Sequence, residues 1–305
     1  AHNIQTKRDF VKTLQYVGEG DSITTPALYG VTPVDPTFIA VGKVTDLNLQ
    51  PDMQHQDSDV LGNEDIIDAV KTGELHAFQI SFEMRDTALI NYAFSPSGGG
   101  TGSIDESLSF MFSEYLNGVE NWTVMRGCRP TSCTCTLNMG VWEANMTFIA
   151  QDITTPSSTD PWASETETLA TEPASAAMSH SGAGADPFTH NVIVYPESRF
   201  STTVTRGMGV QKVNGIDTIV YCKASTRRIE FSVDALIKTN VLETDYTSKV
   251  ERLAQYVIST SPDKAFLFVD AVITAHSRQK TASNADAFRE SITARCGSVT
   301  IGTAA

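Results

Sequence analysis

Cys128, Cys133 and Cys135 fall within one short stretch, and Cys222 and Cys296 stand apart from them. A structural zinc site wants two such pairs, or one pair joined to a histidine pair at hairpin spacing. The six histidines, at 2, 55, 76, 180, 190 and 276, form no HxxxH pair. Residues two apart on a strand share a face, so Cys133 and Cys135 are expected as neighbouring buried thiols. Five cysteines in 305 residues are also too few, and odd in number, for a small secreted disulfide scaffold.

Other chemistry is searched for in the same way. Asp57, Ser58, Asp59 and Glu64 offer hard oxygen ligands, but the glycine and terminal glutamate of an EF-hand loop are misplaced, so a solvated loop is the better reading. Gly98, Gly99, Gly100 and Gly102 lack the lysine that would reach a phosphate. No GxSxG elbow, GxxxxGK[ST] loop, HExxH helix or GxGxxG turn occurs. The sequons at Asn121 and Asn145 lie in strand-like runs. The expectation is a protein that is not an enzyme, with no catalytic or metal residues and no cofactor.

Charge narrows the partners. Thirty-six acids against 22 bases leave a net charge of −14, the wrong sign for tight nucleic-acid binding, which rests on Lys and Arg displacing counterions. Eleven acids and two lysines occupy 19–74. No window is long and apolar enough to span a membrane, and residues 1–8 lack the apolar stretch of a secretory signal.

The elements that must position these residues are mostly strands. Alternating or β-branched runs lie at 38–42, 44–49, 78–84, 108–112, 134–139 and 142–150, then at 191–195, 219–222, 228–234, 265–274 and 298–301. A short helix fits 86–94 with Asp86 as its cap, and a second fits 246–257, where Val250, Leu253 and Val257 recur at helical spacing. Residues 95–102 read as a flexible loop. The segment 154–187, rich in Ser, Thr, Ala, Gly and Pro with five acids and no Lys or Arg, reads as a linker or long exposed loop. It divides the chain into β domains at 1–153 and 188–305. A run ending at Cys128 and another ending at Cys222 are each followed by a base, a small residue and a hydroxyl, which suggests that the second domain repeats the first.

The order of features carries a resemblance. Tyr16-Val17-Gly18-Glu19-Gly20 and Thr25-Pro26 lead to Val41-Gly42-Lys43-Val44-Thr45-Asp46-Leu47-Asn48-Leu49. A long polar loop, the strand at 78–84 and the helix opening Asp86-Thr87-Ala88-Leu89 follow. The half closes on Arg126-Gly127-Cys128-Arg129-Pro130-Thr131-Ser132-Cys133-Thr134-Cys135, Gly140-Val141-Trp142-Glu143 and Phe148-Ile149-Ala150-Gln151-Asp152. This resembles the tail tube proteins of tailed viruses, in the long two-part form of non-contractile tails. The likeness covers most of the first half and, more faintly, 204–278. Cys133 and Cys135 depart from the apolar or hydroxyl residues usual there, and the linker is unusually long.

The resemblance implies tail-tube-like β-sandwich or barrel domains with one or two short helices. It implies a structural virion protein of the tail tube whose rings stack into a conduit for viral DNA. Its partners would be further copies of itself, other tail proteins at the tube ends, and DNA passing without tight binding. The acidic balance suits a virus of a salt-loving host. If the domains repeat, three chains make a pseudo-sixfold ring; if not, six do. A net negative lumen is expected. Within the polar loop 50–73, Asp52, Asp57, Asp59, Glu64 and Asp65 are the assembly-loop candidates, expected to order only in an inter-ring or inter-subunit contact. The competing reading is a β-sandwich binding module such as an adhesin or receptor-binding protein, which would display an aromatic patch; Trp122, Trp142 and Trp162 do not cluster in sequence.

Overall fold

The computed structural model describes residues 9–21, 28–58, 68–95, 106–116, 118–138, 140–154, 156–162, 178, 188–195, 197–211, 221–236, 239–260, 263–280 and 288–303. The first half contains β1 (Asp9–Asp21), β2 (Ile39–Ala40), β3 (Lys43–Ser58), β4 (Asp68–Glu83), α1 (Ala88–Phe94), β5 (Glu106–Leu116), β6 (Val119–Asn138), β7 (Val141–Ala150) and β8 (Asp152–Ile153). The second contains β9 (Phe188–His190), β10 (Ile193–Tyr195), β11 (Glu197–Gln211), β12 (Tyr221–Leu236), α2 (Val241–Ser248), β13 (Arg252–Thr260), β14 (Asp263–Lys280), β15 (Phe288–Cys296) and β16 (Ser298–Gly302). The chain is mostly β, as its alternation predicts, with two short helices.

Eight strands form one antiparallel layer in the order β3-β4-β7-β6-β11-β12-β15-β14. Behind it lie two smaller groups, β2-β1-β5-β6-β8 and β10-β9-β13-β14-β16. The long strands β6 and β14 belong to both layers. Each turns from one to the other beside a left-handed residue, Gly127 (φ 61°) and Asp270 (φ 54°). Strands that switch sheets need such a corner.

The second half repeats the first strand for strand. The pairings β1–β2, β1–β5, β3–β4, β4–β7, β5–β6, β6–β7 and β6–β8 answer to β9–β10, β9–β13, β11–β12, β12–β15, β13–β14, β14–β15 and β14–β16. The irregularities recur as well. The β6–β7 ladder shifts between Pro130 and Ser132, and the β14–β15 ladder between Ile273 and Ala275. At these bulges Thr131 Oγ1 donates to Thr147 O and Thr274 Oγ1 to Thr293 O, both at 3.1 Å. Even the hairpin arms match: Ser58 answers to Gln211 and Asp68 to Tyr221, each 153 residues on.

Between the layers lies one core. Phe78 stacks on Phe148 at 4.9 Å and meets Phe110 edge-on; Phe200 stacks on Tyr256 at 3.8 Å. Each such buried ring contributes about 1.5–3 kcal/mol. The halves are therefore two repeats sharing a single core and sheet network.

Several sequence expectations are corrected. Residues 246–257 are not a helix: α2 ends at Ser248, and β13 buries Ala254, Tyr256 and Ile258 at period two while Leu253 is exposed. The stretch 219–234 is not two strands, since Tyr221–Leu236 is one; 219–220 lie outside the described residues. The stretch at 38–42 keeps only a two-residue strand. Of the polar loop 50–73, residues 50–58 and 68–73 belong to the paired strands β3 and β4, and 59–67 lie outside the described residues. The segment 154–187 is not wholly an exposed tether. Ser157 bridges Trp122, Trp162 packs on Phe38, and Met178 exchanges backbone hydrogen bonds with Met84 and Trp142. Residues 96–105 lie outside the described ones.

Candidate assembly interface

The joint between the repeats is the β6–β11 ladder, running from Ser132↔Thr205 to Thr136↔Ser201. Thr134 and Thr203 share a hydroxyl hydrogen bond of 3.0 Å across it, and Thr136 and Ser201 one of 3.3 Å. Behind the ladder, Trp142 Nε1 donates to Ile258 O at 2.9 Å, so a first-repeat indole ties into a second-repeat strand. Helix α1 has no basic residue in its last turn. The second repeat supplies the missing donors. Arg206 donates to Ala93 O and Ser95 O, and Arg227 Nη1 to Phe94 O at 2.6 Å. These cations satisfy carbonyls that a helix end leaves orphaned.

The eight-stranded layer ends on two strands that are counterparts of the joined pair. β3 answers to β11 and pairs only with β4. Residues 272–280 of β14 answer to 129–137 of β6 and pair only with β15. Among the described residues, the outer edge of each has no strand partner.

One face of this layer covers the core and the other is open. Register fixes who shares the open face: Lys43, Glu83, Glu143, Thr136, Ser201, Ser232, Thr293 and Ala275 follow one another across the eight strands. A second row runs Asp46, Ser81, Asn145, Thr134, Thr203, Glu230, Arg295. Hydroxyls and amides dominate and satisfy one another, as where Gln79 Nε2 donates to Asn145 Oδ1 and Asn145 Nδ2 to Ser81 Oγ. Acids Asp46, Glu83, Glu143, Glu230 and Asp234 are matched in number by Lys43, Arg199, Arg228, Arg289 and Arg295 on these rows and their neighbours. Arg228 and Arg295 both donate to Glu230, whose carboxyl they hold below its ordinary pKa. A shallow depression of about 410 Å³ over the joint is lined by Thr136, Arg199, Ser201, Ser232, Val233, Asp234 and Ser291, without an aromatic ring.

Groups that could do chemistry elsewhere are occupied structurally. Cys128, Cys133 and Cys135 are buried free thiols, the last two on one strand face with sulfurs 3.8 Å apart. Burial raises the pKa of Cys128 and Cys133 and pushes Cys296 up to about 12, which disfavours the nucleophilic thiolate. The buried Glu19 carboxylate accepts from Gly30 N, Ser107 Oγ, Ser109 Oγ and Gly127 N at 2.5–2.9 Å. That cradle ties Gly30, in the segment before β2, to β5 and β6. The second repeat replaces that segment by the two-residue turn Asn191-Val192. Buried His190 contacts Asp245 at 3.0 Å, and Arg252 donates to the same carboxylate. Among the described residues no group of His, Cys, Asp or Glu is arranged to hold a metal ion, and no helix is long and apolar enough to cross a membrane.

Of the five assembly-loop candidates, Asp52 and Asp57 lie in β3 opposite Leu75 and Ala69; Asp59, Glu64 and Asp65 lie outside the described residues. The sequence reading missed the sign of the partner arm. Residues 51–75 carry Asp52, Asp57, Asp59, Glu64, Asp65, Asp68 and Glu74 against Lys71, while their counterparts 204–228 carry Arg206, Lys212, Lys223, Arg227 and Arg228 against Asp217. It also aligned the wrong strands. Cys128 of β6 answers to Ala271 of β14, and Cys222 of β12 to Ala69 of β4. The readable signal was a constant spacing of 153: Phe78, Ile80, Phe82, Met84, Arg85 and Leu89 against Phe231, Val233, Ala235, Ile237, Lys238 and Leu242.

The fold defines a two-repeat β protein whose eight-stranded layer ends, among the described residues, on two unpaired edges, β3 and β14. No protein-family model matches the chain, and no curated protein does.

Proposed function

We propose that the chain is a structural virion protein that assembles edge to edge into rings, which stack into a hollow tail tube and conduct viral DNA. One observation carries this reading: the two strands joined between the repeats, β6 and β11, have their counterparts unpaired at the two ends of the same layer. A layer that ends on its own complementary edges continues head to tail, and a heterologous contact either closes into a ring or runs on as a filament.

Size favours three chains. At a strand spacing of about 4.8 Å and a tilt of about 40°, 24 strands close at a radius of about 24 Å. Side chains of ~6 Å leave a channel about 36 Å wide, while two chains would leave about 20 Å, with no room for hydrated duplex DNA. The open face suits that channel. It is polar, self-satisfied and balanced in charge, so it offers phosphates no excess of cations. On this reading the lumen is close to neutral and not net negative. Six arms of alternating sign then rim each ring, and an acidic arm of one ring can meet a basic arm of the next.

Negative-stain imaging of the purified chain tests the reading. Rings or tubes are expected; a monodisperse monomer at every concentration up to the solubility limit sinks it. An aromatic-rich face would have favoured the adhesin-like alternative, and the open face has none.

A further inference from the structure

We propose that the seam between copies is a β14–β3 ladder built in the register of the internal β6–β11 joint. Mapping β11 onto β3 and β6 onto β14 converts Ser201↔Thr136 into Asn48↔Gln279 and Thr205↔Ser132 into Asp52↔Ala275. The occupant of each free edge is a second copy of this chain. The inference rests on the head-to-tail assembly proposed above and adds which strands meet and which residues face each other.

Three observations support that register. Among the described residues, both edges lack a strand partner over the same five positions that the internal joint pairs, and all but Pro51 keep both a backbone donor and an acceptor. An exposed edge of this kind templates pairing with another strand. The matching bulges at Thr131 and Thr274 put the same backbone geometry immediately before the pairing segment in β6 and β14. At two of the three positions on the open-face row the residue chemistry is also kept: Thr136/Ser201 and Thr134/Thr203 become Gln279/Asn48 and Ser277/Gln50, hydroxyls and amides without charge, while at the third Ser132/Thr205 become Ala275/Asp52. Pro51 stands where β11 has Val204 and has no N–H, so the seam has one backbone donor fewer than the internal joint at that position. The seam differs from the internal joint behind the ladder. Met53 and Glu74 occupy the positions of Arg206 and Arg227, so no guanidinium is available to cap α2 of the neighbour. The internal joint is thus permanent and the seam separable.

Cysteine pairing tests the register on the full chain. Gln50→Cys combined with Ser277→Cys should give, on mild oxidation, a ladder of one, two and three chains that stops at a closed three-chain species. Mixing the two single variants should give two-chain products only. The off-register pair Gln50→Cys with His276→Cys should give none. Rings or tubes by electron microscopy without the 50–277 product would overturn the register and leave the assembly reading standing. Absence of any ring in the parent protein would remove the assembly reading as well. Hydrogen exchange on the unmodified chain provides a second arm in case a variant fails to fold. Backbone amides of 275–279 should exchange at least tenfold more slowly in rings than in monomer, and equal rates would count against the seam.

Discussion

Single residues record where the two repeats were free to differ. At the layer corner, a Cβ on Gly127 would sit 2.6 Å from the Gln151 Cβ, and one on Gly297 would sit 3.2 Å from the Asp270 Cβ. The corner tolerates one side chain of the pair, and the glycine has changed sides between repeats. Gly127→Asp should cost about 1–3 kcal/mol, and adding Gln151→Gly should recover much of it in a denaturation series; no recovery would break the equivalence of the corners. Val192 sits at φ 66° and is 90% exposed in the Asn191-Val192 turn. A β-branched residue gains nothing there, so Val192→Gly should stabilise by about 1 kcal/mol. Burial lowers the pKa of His190, opposed by Asp245 and reinforced by Arg252. Asp245 is also lowered: burial would raise it, but Arg252 and His190 outweigh that. With both folded pKa values depressed, the unfolded chain takes up protons first as pH falls. The His190 share of stability is complete above about pH 6.5 and fades below it, and the Asp245 share fades only below about pH 4. His190→Gln should therefore flatten the fall in melting temperature between pH 7 and 5, while leaving the fall at lower pH. Parallel profiles would show that the imidazole does not titrate on unfolding.

At the scale of elements, the arms and the helix cap separate assembly from folding. Since β3 and β4 stay paired, through two bulges, out to Ser58↔Asp68, deleting 52–62 alone would strand the facing segment. A balanced cut removes 54–73 and joins Met53 to Glu74, which face each other, through an Asn-Gly turn. That variant should melt like the parent and form rings that no longer stack; normal tubes would exclude the arm from ring stacking. Arg206 belongs to folding. Arg206→Met leaves Ala93 O and Ser95 O without their guanidinium and should cost about 1.5–3 kcal/mol, read as a shift in the denaturation midpoint.

One core spans both repeats, so the whole molecule should unfold as one body. Trp142 packs on Phe200, Tyr256 and Phe266 of the other repeat, so 1–153 expressed alone exposes a core face and should aggregate or remain molten. If rings stack through arms of opposite sign, as proposed, the contact is electrostatic, and near 1 M salt the screening length shrinks to about 3 Å. Tubes should then shorten toward single rings, whose mass should be three times 33.0 kDa. Rings of six chains would contradict the role of the second repeat, and tubes unaffected by salt would remove charge from the stacking contact.

Alternation in the sequence by itself determined the class of the protein, because burying one strand face imposes a period of two at Phe78–Phe82 and Trp142–Phe148 whatever the partner strand. It placed the start of α1 only approximately: Thr87, not Asp86, holds the N-cap position and makes no side-chain cap, while Asp86 one residue earlier accepts from the Ala88 N–H at 2.8 Å. The repeat was present as the 153-residue spacing, yet the cysteine match picked non-equivalent strands, because ladder and bulge geometry is held by backbone hydrogen bonds that leave side-chain identity nearly free. A helix was read at 246–257 because a short window fits period 3.6 and period 2 alike, and packing of Tyr256 against Trp142 and Phe200 chose the strand. Only the tertiary structure decided that the long acidic stretch is a paired arm, that its counterpart is basic, and that the layer ends on two edges complementary to each other. Those are relations between strands far apart in sequence, and they take form only once β6 and β11 have met.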